Sequence, residues 1–79
     1  MAESTFEVVS RVLVDALSVD KSAVVLDAKL KEDFEADSLD AVEIIMMLEE
    51  EFGIEVDPDQ AGAIDTVADL VSMIDALRG

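Results

Sequence analysis

Cysteine is absent from the 79 residues, so neither a disulfide framework nor a thiolate metal site can support the fold. Histidine is absent as well, which removes the side chain most often used as a general base near neutral pH. A serine nucleophile would have no base to activate it. Carboxylates are plentiful, yet on short surface helices no cleft raises one pKa while leaving its neighbour low. The expectation is a protein that is not an enzyme, with no catalytic residue and no dedicated metal ligands. Tryptophan and tyrosine are missing, and only three phenylalanines occur, so a core must be built from aliphatic side chains. With one proline and three glycines, the chain has few breakers and no proline- or serine-rich linker. Basic residues are scarce: five against twenty acidic ones, for a net charge of −15, with none between Lys31 and Arg78. A field of that sign repels phosphate backbones and anionic lipid heads, which argues against nucleic acid and membrane partners and in favour of basic protein surfaces. No apolar run approaches the roughly 20 residues that span a bilayer, and the first residues lack the pattern of a signal peptide. A soluble, cytoplasmic monomer is expected.

What the chain does have is apolar content. Hydrophobic residues make up 52% of it, too many for an acidic disordered tail, and they recur at helical spacing. Phe6, Val9, Leu13, Ala16 and Leu17 mark one face of a helix over 5–17, with Ser4 and Glu7 forming a capping box. Residues 18–36 show no sustained period. They read as a long loop with one short helical turn, its Val24, Leu26, Leu30 and Phe34 plugging a core. Asp37 caps a second helix from Ser38 to Phe52, which Gly53 ends. Asp57-Pro58 opens a short helix over 58–62, and Asp65 or Thr66 caps a last one whose face is Val67, Leu70, Val71, Ile74 and Leu77. No strand signal and no internal repeat occur. The predicted architecture is all-α: a small four-helix bundle of three longer helices and one short helix, with a long first loop, in one domain spanning 1–79.

The second helix carries more apolar surface than packing alone requires. At about 100° per residue, Ala41, Ile44, Ile45, Leu48 and Phe52 fall in one sector, which faces the core. Leu39, Val42 and Met46 fall in another, flanked by Glu43, Glu49 and Glu50. Either this helix packs neighbours on both sides, or the second stripe is a docking surface whose acidic rim steers a basic partner. Ser38 stands at the start of that stripe.

An Asp-Ser pair at a helix start is commonly only a cap. Here it sits within Glu35-Ala36-Asp37-Ser38-Leu39-Asp40-Ala41-Val42-Glu43, followed by Leu48-Glu49-Glu50-Glu51-Phe52-Gly53-Ile54-Glu55-Val56, and that string closely resembles the acyl carrier protein family. The resemblance runs from the first amphipathic segment to Ile74. It implies that Ser38 receives 4′-phosphopantetheine from coenzyme A through a separate, magnesium-dependent phosphopantetheinyl transferase, and that the arm then holds acyl chains as thioesters. It further implies that the helix after Ser38 is the recognition helix, with Asp37, Leu39, Asp40, Val42, Glu43, Met46 and Glu49 as partner contacts and Ile64 near the arm and acyl pocket. The enzymes of fatty acid synthesis, with basic docking surfaces, are the partners so implied. Two positions depart from the pattern: the family usually has glycine where Glu35 stands and leucine where Phe34 stands.

A calcium-binding protein is the main rival. An EF-hand loop begun at Asp33 puts Ser38 where glycine is required and Ile44 where the bidentate glutamate belongs. One begun at Asp57 recovers Gly62 but places Ala68 at the glutamate position. Both lack the strongest ligand, leaving only loose divalent binding to clustered carboxylates. Among carriers, Asp37-Ser38-Leu39-Asp40 with Glu43 looks most like those of type II fatty acid synthesis, ahead of polyketide and other specialised pathways.

Overall fold

A computed structural model describes residues 4–78, which form four α-helices: α1 (Thr5–Leu17), α2 (Ser38–Phe52), α3 (Pro58–Gly62) and α4 (Val67–Arg78). One turn of 3-10 helix, Lys21–Ala23, interrupts the first connection. The expected all-α bundle with one short helix and a long first loop is what the chain adopts, with no strand among the described residues.

Each α-helix starts at a reciprocal cap, because four backbone amides at a helix start need acceptors that the helix itself cannot supply. In α1 the Glu7 amide donates to Ser4 Oγ at 3.2 Å while the Glu7 carboxylate accepts from the Ser4 amide at 3.3 Å. Asp37 and Asp40 repeat the arrangement in α2, and Asp57 and Gln60 share it in α3. Of the two candidate caps for α4, Thr66 performs the role: the Asp69 amide donates to Thr66 Oγ1 at 3.1 Å. The Asp69 carboxylate in turn accepts the amides of Thr66 and Asp65, and these hydrogen bonds hold its pKa below the usual carboxylate value. Gly53 ends α2 at φ +63, as expected of a left-handed cap.

The core is aliphatic. Val9, Leu13, Leu48, Val67 and Ile74 are wholly inaccessible, and Ile44 and Leu70 nearly so. The buried faces are wider than the sequence periodicity marks, since Val8 and Val12 on α1 and Met73 on α4 are also buried. At the end of the bundle where α1 begins and α4 finishes, Arg78 Nη1 donates to Thr5 Oγ1 at 2.8 Å, and Thr5 Oγ1 donates to Asp75. The Arg78 guanidinium also lies 4.8 Å from the centre of the Phe52 ring, so one cation ties together α1, α2 and α4. Ser10 Oγ is buried with no hydrogen-bond partner among the described residues.

The long loop is strapped to the start of α4. Leu30 donates to the Asp65 carbonyl at 2.9 Å, Val67 to Ala28 at 3.0 Å, and Ala68 to Leu26 at 2.8 Å, around a single antiparallel bridge between Lys29 and Thr66. Val24 and Leu30 plug the core as expected, and Phe34 packs against its edge. Leu26 does not. It occupies a central position of the tight turn closed by the Ala28 amide on the Val25 carbonyl, which directs its side chain to solvent. Ala28 and Ala36 supply the inward contacts instead.

Glu35 adopts φ +55, a left-handed conformation that costs a side-chain-bearing residue roughly 1–2 kcal/mol. The side chain is exposed, so nothing in the core repays that strain. Here a side chain stands at a position whose backbone angle favours glycine. Glu35→Gly is expected to raise stability by about 1 kcal/mol, after allowing for the greater freedom of glycine in the unfolded chain, and to raise the melting temperature by about 5 °C. Thermal unfolding followed by circular dichroism checks this, and a lowered midpoint would show that Glu35 makes a compensating interaction.

Candidate functional site

Ser38 is positioned by the residues immediately before it. The Lys29 amide donates to Asp33 Oδ2 at 2.7 Å and the Asp33 amide to the Lys29 carbonyl at 2.8 Å, winding the end of the loop into a compact turn. The Ala36 amide then donates to the Leu30 carbonyl at 3.0 Å, and the buried Ala36 methyl pegs the chain to the core. One residue later Asp37 caps α2, its Oδ1 accepting the Asp40 amide at 2.9 Å. Ser38 follows as the first helical residue, with an exposed side chain whose hydroxyl makes no hydrogen bond among the described residues. Capping belongs to Asp37, which leaves the Ser38 hydroxyl available for modification.

The two stripes of α2 separate as their angles require. Ile44, Ile45 and Leu48 are buried, with Ala41 and Phe52 at the margin. Leu39 is 77% exposed, Met46 58% and Val42 55%. Packing on both sides therefore does not account for the second stripe. Asp37 and Glu43 are exposed beside it, and Asp40 and Glu49 are half-buried. These last two have internal work as well: the Asp40 carboxylate accepts the Asp37 amide at 3.2 Å, and Glu49 Oε2 accepts the Val56 amide at 2.8 Å, holding the segment that leaves α2. Their spacing in the sequence offered the capping box as a signal for Asp40, but nothing local marked the bond from Glu49 to Val56.

Next to Ser38 lies a cleft of about 450 Å³ between α2 and α3, lined by Ser38, Val42, Ile45, Met46 and Ile64 among others. Ile64 thus reaches the neighbourhood of Ser38. Ala41, Ile45, Ala61 and Ile64 line both this cleft and a smaller adjoining space of about 30 Å³ that reaches Leu30, Ile44 and Leu70. The short α3 that closes this side contributes no buried residue. Lys31 borders both spaces, a placement that no sequence signal indicated. Among the described residues no cluster of three or more carboxylates could hold a metal ion, and no helix is long and apolar enough to cross a membrane.

The family model described as a phosphopantetheine attachment site matches residues 7–74. The chain is 49% identical over 72 residues to an acyl carrier protein of Helicobacter hepaticus, covering 91% of this chain and 95% of that one. The chain belongs to the acyl carrier proteins. Its backbone matches a solved structure from Mycobacterium tuberculosis, described as an acyl carrier protein, with a TM-score of 0.87 at 26% identity, over 92% of this chain and 97% of that one. Members of this family are carriers and not enzymes, and the group they bear is phosphopantetheine. The residues present fit that group, because the exposed hydroxyl can take a phosphodiester and the adjoining cleft can receive a flexible arm.

Proposed function

We infer that Ser38 carries the 4′-phosphopantetheine arm and that the chain, as one carrier domain, shuttles acyl groups among the enzymes of type II fatty acid synthesis in the cytoplasm. The observation that carries this reading is the exposed Ser38 hydroxyl, free of internal hydrogen bonds, at the edge of the apolar stripe and the cleft. The arm supplies a terminal thiol on which an acyl chain is held as a thioester. Around it, the chain's own residues divide the work. Asp37 and Ala36 fix where Ser38 stands, and Leu39, Val42 and Met46 offer contact area to a visiting enzyme. Asp37, Asp40, Glu43 and Glu49 supply the negative rim, which speeds encounter with basic surfaces more than it tightens binding. Such weak, fast docking suits a monomer that must leave each enzyme in turn. The smaller space of about 30 Å³ holds roughly one water's volume, so an acyl chain entering from the cleft must part Ala61 and Ile64 from Ala41 and Ile45.

Treatment with a phosphopantetheinyl transferase and coenzyme A should add one phosphopantetheinyl mass to the protein. An unchanged intact mass would refute the assignment.

For the docking face, Glu43 is the cleaner probe, because Asp40 and Glu49 also hold backbone amides. Glu43→Lys should slow acyl transfer by a partner enzyme several-fold at low salt, with little change in stability. The rates should converge as salt rises to about 0.5 M, where screening acts over only a few ångström. Rates indistinguishable from wild type at low salt would remove the steering role.

A further inference from the structure

We propose that Lys31 is the arm's anchoring cation: its ammonium pairs with the phosphodiester on Ser38 and lays the near part of the arm along the cleft between α2 and α3. This rests on the reading of Ser38 above and adds a residue to it.

Lys31 and Ser38 line the same cleft, and the lysine also borders the smaller space beside it, so it stands where an arm laid in the cleft would pass. The backbone under it is fixed on both sides, by Leu30 on the Asp65 carbonyl and by Ala36 on the Leu30 carbonyl. Its charge is uncommitted. Arg11 pairs with Glu51, Lys29 pairs with Glu32, and Arg78 is engaged with Thr5 and Phe52. Lys21 borders a different hollow, beside Arg11. Lys31 is exposed and has no ion-pair partner among the described residues.

Attaching the arm places a permanent negative charge at Ser38, next to Asp37 and Asp40 and at the head of the helix that carries Glu43 and Glu49, on a chain whose net charge is already −15. Asp37 and Asp40 repel the phosphodiester most strongly, being within a turn of it. Among the described residues Lys31 is the one cationic side chain lining the cleft, and its charge adds to the attraction that the N-terminus of α2 offers a phosphate on its first residue. A primary ammonium on a flexible stem suits a single phosphate, to which it offers three donors as a point charge. The near end of the arm is then biased toward Ala61 and Ile64, and a basic partner must displace Lys31 from the phosphate when it draws the arm out.

The test uses wild type and Lys31→Gln, both converted with transferase and coenzyme A and checked by intact mass. Limited acylation by an amine-reactive ester, read peptide by peptide, should label Lys31 about threefold more slowly in the armed wild type than in the unmodified protein, a ratio expected of an exposed ion pair. Lys21 and Lys29 serve as internal standards and should be unaffected. The phosphorus resonance of the arm should move as sodium chloride is raised to about 0.5 M in wild type and stay still in Lys31→Gln, with Lys31→Arg restoring the response. Equal labelling before and after arming, or salt titrations that superimpose for wild type and Lys31→Gln, overturn the pairing while leaving Ser38 as the attachment point. Failure of wild type to gain the arm's mass overturns both.

Discussion

Ser38→Ala should fold like the wild type and gain no mass from a phosphopantetheinyl transferase under conditions that fully convert the parent. The effect on function is all or nothing, because the phosphodiester needs an oxygen at that position and alanine has none. The effect on stability should stay within about 0.5 kcal/mol, since Asp37 rather than Ser38 satisfies the first-turn amide and alanine is a better helix former than serine. Intact mass and a melting curve on the same sample separate the two expectations. A variant that melts far below wild type would show that the hydroxyl holds the fold together, and Ser38 would then be a structural serine.

Leu48→Ala and Leu39→Ala form a pair on one helix that tests which of its faces is the core. Leu48 is wholly inaccessible, and truncating it leaves a cavity that costs about 3 kcal/mol. A domain of this length has a total stability of about 4–12 kcal/mol, so the melting temperature should fall by roughly 15 °C or more. Leu39 is 77% exposed, and its truncation should move stability by no more than about 0.5 kcal/mol while weakening transfer to partner enzymes. Comparable destabilisation by both would mean that the second stripe packs internally, and the docking face would have to be sought elsewhere.

The boundaries of the helices were legible because their signals are local and redundant. Ser4 with Glu7, Asp37 ahead of Ser38, and Asp57 ahead of Pro58 each announce a start, and Gly53 announces an end. Periodicity located the core face of α2 and distinguished it from the stripe of Leu39, Val42 and Met46. The loop was less readable, because its order comes from pairing with α4, which leaves no periodic trace. Hence Leu26 was expected inside and is found at a turn, while the inward Ala28 and Ala36 carried no apolar signal strong enough to notice. The exposed place of Ser38 at a capped helix start could be read from the residues around it. The bond from Val56 to Glu49 and the place of Lys31 beside the cleft could not, since each depends on a neighbour that only the folded chain supplies.

The strap between loop and α4 also sets an order of events in folding. Its hydrogen bonds join Leu26, Ala28 and Leu30 to Ala68, Val67 and Asp65, contacts so distant along the chain that closing them is slow relative to forming any one helix. The α1 and α2 segments and the turn before Ser38 have their caps and hydrogen bonds at hand, but Leu26, Ala28 and Leu30 stay unpaired with their partners until α4 is present.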